Sequence, residues 1–167
     1  MNNYCELPYP STKYITRDER SAKIISPAYA SRDSELTAIL LYSYQHIIFE
    51  NKEMEEEAET LSHISMDEMR HIELLGETLL ALGVIPIYTE RPPCKMNFYS
   101  TQFVPYSIVT QKMLMDDLRG EMTAIQMYKD MLSKLDNDNV AAIIERILLD
   151  EKSHYAEFAR LLAKSNT

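Results

Sequence analysis

Apolar residues recur at three- and four-residue spacing through most of this chain. Leu36, Ile39, Leu40 and Ser43, then Ile47, trace one face of a helix that must bury itself. The pattern predicts a first helix from about Ser31 to Asn51, where Asn51-Lys52 marks a turn. A second covers roughly 53–82, and its acidic start, Glu53-Met54-Glu55-Glu56-Glu57, suits the positive end of a helix dipole. Gly83 and Pro86 stop it. A third helix is expected over about 105–135, the turn Asp136-Asn137-Asp138-Asn139 follows, and a fourth covers about 139–164. No alternating pattern of the strand type competes.

Two stretches lack this periodicity. Residues 1–30 hold Pro8, Pro10 and Pro27 among scattered tyrosines and read as an extended arm with at most one short helix, around Ala22-Lys23-Ile24-Ile25. Residues 83–104 hold Pro86, Pro92 and Pro93 and read as an irregular connection. Its 22 residues reach up to ~70 Å when extended, enough to run the length of a ~40 Å helix. The expected fold is therefore all-α: an arm over 1–30, then a four-helix bundle over 31–167 made of two antiparallel hairpins joined by a long crossover.

An internal repeat turns this architecture toward chemistry. Glu35-Leu-Thr-Ala-Ile-Leu-Leu-Tyr42 and Glu121-Met-Thr-Ala-Ile-Gln-Met-Tyr128 agree at five of eight positions. Asp67-Glu68-Met-Arg-His71 is likewise echoed by Asp150-Glu151-Lys-Ser-His154. The offsets are 86 and 83 residues, so each half is a hairpin with Glu on its first helix and Glu-x-x-His on its second. Glu35 lies 16 residues before Asn51 and Glu68 lies 17 after it, which brings both to one height in an antiparallel pair. Glu121 lies 16 residues before Asn137 and Glu151 lies 14 after it, so the second hairpin repeats the register closely. The i, i+3 spacing puts each carboxylate and its imidazole on one helix face. If the hairpins pack side by side, Glu35, Glu68, His71, Glu121, Glu151 and His154 meet in the core.

Four carboxylates cannot be buried uncompensated. Two divalent cations would balance them, with neutral imidazoles completing the shells, and an oxygen-rich, thiolate-free donor set suits iron first and manganese second. A single Glu-x-x-His on a helix is ordinarily a surface feature. Two copies in register with two further Glu residues are a metal site.

Composition narrows the rest. Seventeen basic against 26 acidic residues give a net charge of −9, which disfavours nucleic acid and anionic membranes as partners. No apolar run reaches the roughly 18 residues of a membrane span, and Met1 to Pro10 has neither the basic start nor the apolar segment of a signal peptide. Cys5 and Cys94 form no CxxC pair, so a rubredoxin-type iron site is excluded, and free thiols without an export signal suggest the cytoplasm.

At the repeat the chain resembles the ferritin-like superfamily of dinuclear metal carboxylate proteins, over about residues 31–164. Glu35-Leu-Thr-Ala-Ile and Asp67-Glu-Met-Arg-His71 look most like bacterioferritin. That resemblance implies Glu35, Glu68, His71, Glu121, Glu151 and His154 as metal ligands, with Glu68 and Glu151 bridging. It implies a redox reaction with O₂ or H₂O₂ of the ferroxidase or peroxidase type, fed by an unknown electron donor. The long arm and crossover depart from bacterioferritin and put its storage shell in doubt. Rubrerythrin-like proteins carry a further carboxylate one turn after the third helix's Glu, where this chain has Ala124. Tyr9-Pro10, Ala22-Lys-Ile-Ile and the short second half are also similar to small manganese-catalase-like coat proteins. Disproportionation of H₂O₂ and iron storage are therefore the alternatives, with a purely structural metal site as a third class.

Residues near the constellation carry paired readings. Asp67 and Asp150 either accept the second N–H of an imidazole, across the bundle or locally, or sit on the surface. Tyr42 and Tyr128, two turns after Glu35 and Glu121, either hydrogen-bond a ligand or relay an electron, or simply pack. Met69 matches the haem-ligating position of bacterioferritin dimers, but packing is the better reading and haem is not expected. His46, about 16 Å along its helix from Glu35, cannot join the site. His63 and the Glu53–Glu59 cluster read as solvated surface. The tyrosine-bearing arm suggests a homo-oligomer, a dimer or larger.

Overall fold

A computed structural model describes residues 7–165 of the chain. Five α-helices account for the architecture: α1 (Glu19–Ala30), α2 (Glu35–Asn51), α3 (Glu55–Ala81), α4 (Thr110–Leu132) and α5 (Asp138–Ser165). Short 3₁₀ turns occupy Thr12–Tyr14 and Thr101–Phe103, and the bridge between Thr89 and Phe98 is the lone strand-like pairing among the described residues. The expected all-α bundle of two hairpins is present. The α2–α3 hairpin turns at residues 52–54, with Glu53 in the left-handed region (φ 58°), and the α4–α5 hairpin turns at 133–137. Asn137 begins α5 by accepting the Val140 N–H through its side chain at 3.3 Å.

The bundle has two apolar cores, stacked end to end. One gathers Leu41, Tyr42 and Phe49 of α2, Leu61 and Ile64 of α3, Met113 and Leu114 of α4, and Phe158 and Leu161 of α5. The other gathers Ile25, Ala28 and Tyr29 of α1, Leu75 and Leu79 of α3, Tyr128 and Met131 of α4, and Ile143, Ile144 and Ile147 of α5. Helix α2 has 17 residues against 27 in α3 and begins only at Glu35, so it lines half of the bundle's length. Helix α1 supplies the missing apolar stripe in the other half.

The short helix expected around Ala22–Ile25 is α1, and it is longer than that stretch. Asp18 caps α1 by accepting the Arg20 and Ser21 N–H groups, and the buried face runs Ser21, Ala22, Ile25, Ser26, Ala28 and Tyr29. Small residues and Pro27 weaken the apolar periodicity, which is why the pattern undersold this helix. Tyr29 packs over Gly76 of α3, where a Cβ would sit 3.4 Å from its ring. Tyr29 in turn donates to the Pro86 carbonyl at 3.0 Å and stacks on Tyr88.

Helix α4 begins five residues later than the expected 105. Residues 105–109 stay out of the helix because their carbonyls are taken by α2: Tyr44 Oη donates to Ser107 O at 3.1 Å, and Lys52 Nζ to Ile108 O. Earlier in the crossover Tyr99 hydrogen-bonds Thr37 at 3.1 Å and Arg32 stacks on Phe103. The crossover therefore climbs α2 from its first turn to its last. Gly83, at φ 90°, starts that path by ending α3.

Ile25→Ala tests whether α1 belongs to the cooperative core. Loss of a fully buried side chain there is expected to cost about 2–5 kcal/mol by urea unfolding. Lys23→Ala, on the exposed side of the same helix, should stay within about 0.5 kcal/mol. Equal midpoints for the two variants would show that α1 unfolds separately.

Candidate metal centre

The boundary between the two cores is polar. Glu35, Glu68, His71, Glu121, Glu151 and His154 all lie there, each 3% exposed or less. Each helix brings its residue for a reason legible in its register. Glu35 is the first residue of α2, where the free N–H groups of a helix start favour a carboxylate. Glu68 and His71 share one face of α3, Glu151 and His154 one face of α5, and Glu121 points in from the middle of α4.

The donors fall into two interlocking groups. Glu35, Glu68, His71 and Glu151 form one, Glu68, Glu121, Glu151 and His154 the other, and within each group the ligand atoms lie within 4.8 Å of one another. Glu68 and Glu151 belong to both. His71 Nδ1 stands 3.0 Å from Glu68 Oε2 and 3.1 Å from Glu151 Oε1. His154 Nδ1 stands 3.0 Å from Glu68 Oε1 and 3.8 Å from Glu121 Oε2. The carboxylates nonetheless keep lone pairs to spare, for Glu68 Oε1, Glu121 Oε2 and Glu151 Oε1 make no hydrogen bond of acceptable geometry. Orphaned, converging acceptors in a dry core are what a pair of cations would satisfy, so the residues present fit a dinuclear site.

Without cations, protons must balance the site. Burial and the neighbouring Glu68 and Glu151 charges push Glu35 well above the usual carboxylate range. Burial, with Glu151 and Glu68 close by, does the same to Glu121. Burial opposes ionisation of Glu68 too, but hydrogen bonding with Glu35, the nearby His154 charge and the His71 imidazole outweigh it and hold that carboxyl low. Burial would lower both histidines, yet the surrounding carboxylates raise each well above its ordinary value.

Around the donors the two halves of the repeat clasp each other. Tyr42 of α2 donates its hydroxyl to Glu121 Oε1 of α4, and Tyr128 of α4 donates to Glu35 Oε1 of α2. Both tyrosines are buried and each holds the other half's terminal carboxylate. The aspartates cross over as well: Asp150 Oδ2 lies 3.1 Å from His71 Nε2, and Asp67 Oδ2 lies 3.3 Å from His154 Nε2. Of the two expected arrangements, the contact across the bundle is the one found. It keeps a proton on each Nε2 and turns each Nδ1 toward the carboxylates.

The surroundings of the two aspartates differ. Asp150 accepts from Tyr9 Oη at 2.6 Å and pairs with Arg146 at 2.5 Å, and the Arg146 guanidinium lies 4.2 Å from the centre of the Tyr9 ring. Burial works against its charge, but bonds from His71, Arg146 and Tyr9 lower its carboxyl to about 2. The Asp67 side chain is a third exposed. Arg146, one turn before Asp150, was open to a spacing argument; Tyr9, 141 residues away in sequence, was not.

A second buried acid escaped sequence reasoning. Asp117, one turn before Glu121 on α4, is fully buried and accepts from Gln45 Nε2 at 2.7 Å. Its Oδ2 and Gln45 Oε1 are both orphaned acceptors, which one proton on Asp117 would join into a two-bond ring. Burial pushes this carboxyl well above the ordinary range.

Other candidates lie elsewhere. His46 Nδ1 approaches the Ala58 carbonyl at 3.0 Å, away from the centre, and His63 and Met69 lie on the exposed side of α3. Glu56 of the acidic cluster pairs with Arg160 and Lys164, and its carboxyl is lowered by their hydrogen bonds. Cys94 is exposed, and Cys5 lies outside the described residues. No helix among the described residues is long and apolar enough to cross a membrane.

Comparison with known proteins agrees with this geometry. The ferritin-like domain model of the Ferritin family matches residues 32–167. The chain belongs to the ferritin-like family. A bacterioferritin of Desulfovibrio desulfuricans is 30% identical over 148 residues, spanning 87% of this chain and 77% of that protein. Its crystal structure, described as having a diiron site, superposes with a TM-score of 0.71 at 24% identity, covering 89% and 82% of the two chains. A manganese catalase from Anabaena superposes at 0.83 with 17% identity, covering 98% of this ferritin-like chain and 80% of its own. At these identities the superpositions speak for the fold.

Asp117→Asn keeps both bonds of the Gln45 ring without needing a proton. Because the folded carboxyl is raised, its contribution to wild-type stability is complete below the unfolded value and is lost as pH rises through the folded one. Urea unfolding of the two proteins side by side should therefore favour the variant increasingly toward alkaline pH. A difference that stays constant, or that favours the wild type, would show Asp117 ionised.

Proposed function

We propose that this ferritin-like protein is a dinuclear metal oxidoreductase that reacts O₂ or H₂O₂ at the boundary between its two cores, in a ferroxidase or peroxidase reaction. The observation that supports it is the pair of interlocking four-residue donor groups sharing Glu68 and Glu151. Four carboxylates balance two divalent ions, and the oxygen- and imidazole-based set favours iron, with manganese as the alternative. Two adjacent reduced ions supply an electron pair together, so that peroxide with two protons goes to water without a free radical.

The chain's own residues have distinct tasks in this reading. Glu68 and Glu151, common to both donor groups, would be shared between two ions, Glu35 and Glu121 would each serve one of them, and His71 and His154 would offer Nδ1, one on each side. Asp150 and Asp67 fix the imidazole tautomers from behind. Tyr42 and Tyr128 hold the second oxygens of Glu121 and Glu35, so each terminal carboxylate stays aimed while leaving one oxygen for an ion. Their hydroxyls are also the oxidisable groups next to the ligands. The electron donor is external to the chain. The likeness to bacterioferritin supports assembly into a homo-oligomer. Manganese-dependent disproportionation is the alternative that the Anabaena likeness favours.

Metal content of protein purified without added metal or chelator, followed by peroxide consumption on the same sample, tests this reading. Iron at two per chain with peroxide consumed only alongside a reductant is the expected result. Manganese with O₂ evolved and no reductant needed would replace it with the catalase, and a closed shell by solution mass would bring storage forward. A wild type that takes up no metal anaerobically would sink the assignment.

Two further outcomes are expected. Since burial and neighbouring charges raise Glu35 and Glu121, and the surrounding carboxylates raise both histidines, cation binding is expected to displace protons from these groups and apparent affinity to rise with pH. Calorimetry in buffers of different ionisation enthalpy would read the proton count directly. Asp150→Asn should weaken metal binding about 10–100-fold in competition with a chelator, because it unfixes the His71 imidazole.

A further inference from the structure

A cavity of about 250 Å³ reaches the proposed centre from one side. Its floor is formed by Glu35, Glu68, Glu121 and Glu151, while neither His71 nor His154 lines it. The opposite side is closed, with the Tyr9 ring set edge-on 6.1 Å from His71 and both imidazoles backed by aspartates. The cavity exists because α1 stops at Ala30 and α2 starts at Glu35: Arg32, Asp33 and Ser34, in the break between them, line it. Ser34 Oγ and Thr37 Oγ1 hold that break open by donating to the Ser31 and Arg32 carbonyls at 2.8 Å.

Across the break stands Gly120 of α4. A Cβ built there meets nothing nearer than the Tyr42 hydroxyl, at 3.9 Å. A glycine in a helix interior costs about 1 kcal/mol relative to alanine, and no close contact here demands one. What its missing side chain does leave is open space directly over Glu121. Apart from the four carboxylates of the floor, the lining carries Arg32 and Arg119 against Asp33 and Asp116, and Ala38, Leu41 and Phe103 make much of the remaining wall apolar. A passage with balanced charge and apolar walls suits a small uncharged molecule. At about 30 Å³ per water-sized occupant, the space holds several such molecules at once.

We infer that the break between α1 and α2, kept open by Gly120, is the passage through which a small uncharged oxidant reaches the carboxylate side of the centre. The inference rests on the dinuclear reading above and adds the route and the residue that controls it. Gly120 touches no ligand in this role. It sets access, so filling its space should slow arrival, and equal metal content with a retained nitric oxide amplitude separates that effect from a disturbance of the nearby Tyr42–Glu121 bond.

The test loads wild type, Gly120→Ala and Gly120→Leu with ferrous ion anaerobically to equal metal content. Stopped-flow mixing with H₂O₂, and separately with nitric oxide as an uncharged two-atom probe, then gives two second-order rate constants. Gly120→Leu should lower both by about tenfold or more, Gly120→Ala by less, with the equilibrium amplitude for nitric oxide retained. Thermal unfolding should show Gly120→Ala at least as stable as wild type, since alanine is the better helix former. If Gly120→Leu fails to fold, Ala38→Leu narrows the same cavity from α2 and is read in the same way. Rates equal to wild type in a metal-loaded variant overturn the inference and leave the dinuclear reading standing. A wild type that holds no metal overturns both.

Discussion

Four carboxylates buried at one level of a helical bundle are the constraint on which the rest of this structure depends. Uncompensated, they would cost far more than the few kcal/mol by which a domain of this size is stable. The chain answers with two imidazoles facing inward, two tyrosine hydroxyls donating to the terminal carboxylates and shared protons on Glu35 and Glu121. Each of these is a substitute that two cations would partly displace. Apolar cores above and below then hold the cluster in place.

That arrangement explains why the first helix of the bundle is divided. A continuous helix through residues 19–51 would present α2's stripe along the whole length, but Glu35 would then lose its place at a helix start. Dividing it gives the buried carboxylate free backbone N–H groups nearby, and lets α1 approach α3 at Gly76 independently of α2. The crossover reinforces the division by running along α2 alone, tied at Thr37, Tyr44 and Lys52.

How much of this the sequence disclosed depended on how local the cause was. The four long helices and the six donor residues followed from periodicity and from equal distances to the hairpin turns, which are properties of single elements. Helix α1 was harder, because Ala22, Ala28 and Ala30 bury well without looking apolar in pattern and Pro27 interrupts the reading. The late start of α4 depends on hydrogen bonds from α2 to residues 107 and 108, which no local preference encodes. Tyr9 and the Asp117–Gln45 pair were illegible for the same reason: each is defined by a partner more than 70 residues away. Whether the aspartates cross the bundle could only be settled by how the two hairpins pack.

The repeat gives the donors a near-twofold arrangement, but the scaffold behind them is not twofold. Asp150 is pinned by Tyr9 and Arg146, whereas Asp67, its counterpart, is a third exposed to solvent. At the position of Arg146, four residues before the aspartate, the first half carries His63. One imidazole is thus anchored to a rigid, cation-backed carboxylate and the other to one that water can reach. The two sides of the cluster therefore have different surroundings, one backed by a buried, paired carboxylate and the other by a carboxylate in contact with solvent.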